Sequence, residues 1–126
     1  MSTVKANDLM KVDGGIPTVK GQRLIPAAWV NFNGTGTVAI RDSENVSSIT
    51  DNGTGYYTAN FTTAMSDTNY ISVGTAGGTG TNTLMNLSQY YSSAPTTTSC
   101  PLNIVWQNGT NADPVYVGVT ILGGQA

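Results

Sequence analysis

The chain has 126 residues, a net charge of −2 and only 10% charged residues. Thr, Asn, Ser and Gly account for 56 residues, so hydroxyls and amides wet a surface where an average globular domain uses about 25% charged residues. There is no histidine, which removes the usual general base near neutral pH, the usual catalytic triad and most transition-metal sites. The weak negative charge leaves no electrostatic footprint for nucleic acid.

A chain of this length is expected to form one domain with a short arm. Residues 1–26 carry four basic and two acidic side chains, net +2, and the remaining 100 carry one basic and five acidic, net −4. This shift marks 1–26 as an N-terminal anchoring arm and 27–126 as the folded body. Within the arm, Leu9–Val12 and Ile16–Val19 flank Asp13-Gly14-Gly15 and predict a small hairpin. A ribbon of that size is marginal alone. It needs a neighbouring subunit or its own body to lie on, or else it stays unpacked.

In the body, the pattern has period two. Ala28, Val30 and Phe32 share one face, with Trp29 and Asn31 on the other; Val38 and Ile40 follow, and Val46–Thr50 is a weaker strand. Tyr57, Ala59 and Phe61 alternate with Tyr56, Thr58 and Asn60. Asn33-Gly34-Thr35-Gly36 and Asp51-Asn52-Gly53-Thr54-Gly55 supply hairpin turns. Tyr70–Val73 predicts a strand, Gly74–Thr83 an exposed loop, Leu84–Tyr91 a strand and Ser92–Cys100 a second loop. Leu102, Ile104 and Trp106 then alternate, Asn108–Pro114 turns, and Val115, Val117, Val119 and Ile121 close the chain. About eight strands with frequent turns and no helical stretch predict an all-β, antiparallel two-layer β-sandwich, jelly-roll-like, with an extended N-terminal arm.

The expected core is Val30, Phe32, Val38, Ile40, Tyr57, Phe61, Ile71, Val73, Leu87, Leu102, Ile104, Trp106, Val117, Val119 and Ile121. Trp29, Tyr56, Tyr70, Val105, Tyr116 and Leu122 fall on the opposite faces. Several large apolar groups exposed together favour association, so an oligomer is expected. Trp29, Tyr56, Tyr70, Tyr90, Tyr116 and Leu122 are the candidate oligomer or ligand contacts. Tyr56 and Tyr90, beside hydroxyl and amide groups, also suit a carbohydrate platform.

No catalytic, cofactor or metal site is expected. Asp42 and Glu44 share a strand face but lead into a turn, where solvated acids are ordinary. Gly34-Thr35-Gly36-Thr37-Val38-Ala39 has a dinucleotide spacing, yet a strand starts there instead of the required helix. Cys100 has no basic neighbour in sequence to activate it and no second cysteine to pair with. No apolar run approaches a membrane span, and MSTVKANDLMKVDGG lacks a signal peptide's apolar centre, so synthesis in a cytosol without membrane insertion is expected.

The segment 28–65 resembles phage virion proteins, especially tail-fibre-like proteins of phages infecting aquatic bacteria. The resemblance rests on Trp29–Gly36, Ser47–Gly55 and Asn60–Met65, with a similar opening MSTVKAN, and covers about a third of the chain. It implies a non-enzymatic, homotrimeric β-sandwich on the outer surface of a virion, assembled in the host cytoplasm. Residues 1–26 would attach it to a tail adaptor or the major capsid protein. The chain lacks a long repeat shaft, so a stubby knob fits better than a full fibre. Host surface glycan is the ligand such a knob would contact through Gly74–Thr83, Ser92–Cys100 and Asn108–Asp113. The alternatives are a capsid decoration or cement protein and a free carbohydrate-binding module.

Overall fold

A computed structural model describes residues 2–14, 17–23, 25–78, 85–89 and 93–124. The described chain is all-β, without a helix. Ten strands form: β1 (Thr18–Val19), β2 (Gln22–Arg23), β3 (Ala28–Asn33), β4 (Ala39–Glu44), β5 (Val46–Gly53), β6 (Tyr56–Phe61), β7 (Tyr70–Gly77), β8 (Met85–Gln89), β9 (Ser99–Trp106) and β10 (Tyr116–Gly123). Eight of them build two antiparallel four-stranded sheets, ordered β4-β3-β10-β7 and β5-β6-β9-β8, while β1 and β2 form a separate ribbon.

The sandwich closes because each sheet turns one apolar row inward. Val30 and Phe32 of β3 and Val117, Val119 and Ile121 of β10 meet Tyr57, Ala59 and Phe61 of β6 and Cys100, Leu102 and Ile104 of β9. Two aromatic pairs cross between the layers. Phe32 meets Tyr57 with ring centroids 5.3 Å apart, and Phe61 meets Tyr70 at 5.7 Å, both edge to face. Val38, Ile40 and Leu87 pack at the margin of this core, and Trp106 is only half-buried at the end of β9. Val46, Met65 and Cys100 are buried members absent from the expected core.

The phase of β7 differs from expectation. Tyr70 is 5% exposed, whereas Ile71 and Val73 are 60% and 52% exposed. Two constraints set this phase. The Tyr70 ring fills the space beside Phe61, and its hydroxyl donates to the Thr96 and Ser99 carbonyls at 2.9 and 2.8 Å. The register Leu122↔Ile71 and Thr120↔Val73 then sets those residues outward, because Val119 and Ile121 point in. A one-residue slip would reverse every side chain.

The strand order is not that of a jelly roll, which pairs first strand with last, second with seventh, and so inward. Of those pairings only β3 with β10 occurs. The short links β3–β4 and β5–β6 are hairpins within one sheet, so they cannot also cross between layers. Both depend on glycine. A Cβ on Gly34 would lie 2.7 Å from the Tyr57 hydroxyl, and one on Gly55 (φ +75°) would lie 2.5 Å from the Ile104 carbonyl oxygen.

The arm hairpin also forms at a different place. Leu9–Val12 forms no strand and Lys11–Gly14 closes a turn, through Gly14 N–H to the Lys11 carbonyl at 2.9 Å, while Gly15 and Ile16 of the expected hairpin lie outside the described residues. Pairing occurs instead between Thr18–Val19 and Gln22–Arg23, around Lys20 (φ 52°) and Gly21 (φ 78°). Two successive positive φ values match a hairpin's twist, which Asp13-Gly14-Gly15 was expected to supply.

Candidate functional site

The two outer faces of the sandwich have different chemistry. On the β5-β6-β9-β8 sheet, Asn60 Nδ2 donates to the Ser48 and Thr50 hydroxyls at 3.0 and 2.9 Å, and Asn52 Nδ2 to the Thr58 hydroxyl at 2.8 Å. These side chains bond one another along the strands and present a hydroxyl and amide surface. Tyr56 lies on this face, half-buried and opposite Asn103 in the register.

The other sheet presents apolar groups outward. Across β10 and β7, Leu122 stands beside Ile71, and Thr120 separates Trp29 from Val73. Exposure is 60% for Ile71, 52% for Val73, 55% for Tyr116 and 43% for Leu122, while Trp29 is half-buried. Gly118 contributes no side chain to the centre of this face. The result is a shallow groove of about 490 Å³ walled by Trp29, Asn31, Val73, Thr75 and Thr120. At the β4 margin the same face becomes acidic, since Glu44 pairs with Trp29 and Asp42 with Asn31, and both acids are exposed.

Arg41 is the one basic residue of the body, and it is immobilised rather than free. The bulge between Asn31 and Phe32 brings its guanidinium to the Asn31 side chain at 3.2 Å and the Val115 carbonyl at 2.6 Å. It lies 4.9 Å from the Tyr116 ring centroid, a cation–π contact that fixes the ring against the sheet.

Of the expected contact residues, the structure therefore brings Trp29, Tyr116 and Leu122 onto one face. Tyr56 lies on the opposite face. Tyr70 is a correction, because its ring belongs to the core and its hydroxyl is bonded internally. Tyr90 lies outside the described residues. Ile71 and Val73 complete the apolar patch, although their sequence pattern assigned them to the core. The phase of their neighbour β10, not their own hydrophobicity, identifies them.

The expected outward loops do not share one end. Gly74–Gly77 belongs to β7 rather than to a loop, and 79–84 lies outside the described residues. The chain around Thr97 and Thr98 bonds to Phe61 and Met65, at the end where Asn45 bonds Ala27 and Thr63 and the arm enters. The Asn108–Asp113 turn sits at the far end. There Asp113 Oδ1 accepts from Gly55 N–H at 2.8 Å and from the Tyr57 hydroxyl at 2.7 Å, and Gly34 N–H donates to the Pro114 carbonyl at 2.8 Å. Three connections are thus locked into one tip opposite the arm.

Among the described residues, no group of three or more Cys, Asp or Glu side chains is gathered as a metal would require. Compared with known proteins, the chain matches no family model, no curated protein and no solved structure.

Proposed function

We propose that the protein is a non-enzymatic structural component of a phage virion, a short homotrimeric projection carried on the particle's outer surface. The observation that carries this reading is the apolar outer face of the β4-β3-β10-β7 sheet. Ile71, Val73, Tyr116 and Leu122 lie there with Trp29, on a sandwich body otherwise wetted by hydroxyls and amides. Such a face is suited to burial between subunits. The resemblance of Trp29–Gly36, Ser47–Gly55 and Asn60–Met65 to tail-fibre-like proteins supports the virion setting.

In this reading the end of the sandwich where residues 1–26 enter faces the particle, where a tail adaptor or the major capsid protein is the attachment partner. The tip at the opposite end, built from the β3–β4 and β5–β6 turns and Asn108–Asp113, faces the environment and host surface glycan. The opposition of arm and tip along the sandwich supports that orientation. A capsid decoration protein is the second reading, favoured by the absence of a shaft between arm and body.

Fractionating a culture that makes the protein tests the proposal. Recovery on the outside of purified particles is expected; recovery only in the soluble cell fraction contradicts it. Added protein that blocks infection identifies a host-contacting projection, and added protein that raises the heat resistance of depleted heads identifies a cement role.

A further inference from the structure

Among the residues whose side chains the structure describes, the exposed large apolar ones lie in two places. Val4, Leu9, Met10, Val12, Val19 and Ile25 belong to the arm, and Ile71, Val73, Tyr116 and Leu122 to the outer face of one sheet. In an extended arm, Val4, Ala6, Met10 and Val12 fall on one side, interrupted by Asp8. Nine residues from Val4 to Val12 span roughly 30 Å, close to the roughly 27 Å of the eight-residue β10 that runs along the apolar face. The charges match as well. The arm is net +2 and the body net −4, and the acids Asp42 and Glu44 border the apolar patch.

In a single chain the arm leaves this face uncovered. Residues 2–14 are all exposed, although Ala27 N–H bonds the Ile121 carbonyl at 3.0 Å and so starts the arm beside Leu122. We infer that residues Val4–Val12 of one copy lie along the outer face of the β4-β3-β10-β7 sheet of a second copy. Val4, Met10 and Val12 cover Ile71, Val73 and Leu122, and the basic arm lies on a body of opposite net charge. This contact joins different surfaces on the two copies, so it is head-to-tail, and a ring of three closes it without leaving an open end. The inference rests on the self-association proposed above and names the segment that fills the face.

Light scattering and sedimentation of full-length variants test it. The wild type is expected to be trimeric. Val4→Asp with Met10→Asp, and separately Val73→Asp, are expected to raise the dissociation constant at least about 100-fold, since each places a charge in an apolar contact. Lys5→Glu with Lys11→Glu, which turns the arm from net +2 to net −2 against a body of net −4, should weaken association roughly tenfold, more so at low ionic strength. Circular dichroism that is unchanged in every variant separates lost association from lost fold. A wild-type trimer that Val73→Asp dissociates but the arm variants leave intact overturns the arm assignment and leaves self-association standing; the arm then folds onto its own body or binds another virion protein. A wild type that stays monomeric overturns both. Association that the charge reversal leaves unchanged overturns the part assigned to the arm's basic residues.

Discussion

The hydroxyl of Tyr57 lies 2.7 Å from the carboxylate of Asp113, joining residues 56 positions apart in the chain. The ring is fully buried, and the Gly34 carbonyl is a second acceptor at 2.9 Å. One phenol thus holds the β3–β4 turn, the β5–β6 turn and the β9–β10 connection at the tip. Tyr57→Phe keeps the ring but removes the phenol donor from the Gly34 carbonyl and from Asp113 Oδ1, which keeps only Gly55 N–H. A loss of about 1–3 kcal/mol is expected, read as a lower midpoint in denaturant at unchanged slope. An unchanged midpoint would show that the tip is held by its backbone alone.

Alkaline pH should unfold the protein through three buried groups. Burial raises the Tyr57 phenol far above its ordinary value, with the Asp113 carboxylate adding to the effect. Burial likewise raises Tyr70, and it raises the Cys100 thiol to about 11. Each group therefore holds its proton longer when folded. The stabilisation is complete below the unfolded values, about 8.5 for Cys and about 10 for Tyr. It is lost as pH rises through the folded ones, at up to about 1.4 kcal/mol per pH unit per group. Thermal melts should fall in midpoint above about pH 9 and more steeply above pH 10, and Tyr57→Phe should lessen the slope.

Cys100 has no exposed surface and a raised thiol pKa, two conditions that suppress thiolate attack. Native protein is expected to resist a thiol reagent at pH 8 and to react once denatured. Rapid labelling of the native state would contradict the placement of this residue between the sheets.

Two glycines on adjoining strands should respond in opposite ways. A Cβ at Gly74 would strike the Gly118 carbonyl oxygen, so Gly74→Ala should separate β7 from β10 at a cost of about 2–4 kcal/mol. A Cβ at Gly118 meets only the Thr75 hydroxyl at 3.6 Å, so Gly118→Val should fold and gain up to about 1 kcal/mol. By filling the groove it should still disturb association. Paired chemical denaturation curves check both.

Much of this architecture was legible because alternation is strict where one face is buried. β3, β6 and β10 read correctly from Val30, Phe32, Tyr57, Phe61, Val117 and Ile121. β7 did not, because Ile71 and Val73 are more apolar than Ser72 and Gly74, and a large ring at Tyr70 outweighs them only through Phe61 and two distant carbonyls. The strand order was hidden for a related reason. Hairpin turns declare which strands are neighbours, but the link from β9 to β10 gives no local sign that β10 will sit between β3 and β7. The apolar outer face was half legible. Trp29, Tyr116 and Leu122 follow from their own strands, whereas Ile71 and Val73 required the register with β10.

The most direct test of the proposal that this sheet face self-associates is the solution mass of the full-length protein beside that of Val73→Asp. The wild type should have three times the 13.1 kDa chain mass. The variant should be a folded monomer, since an exposed residue changes stability by only about 0.5 kcal/mol. A monomeric wild type at high concentration, or a variant that remains trimeric, would contradict the role assigned to the β4-β3-β10-β7 face.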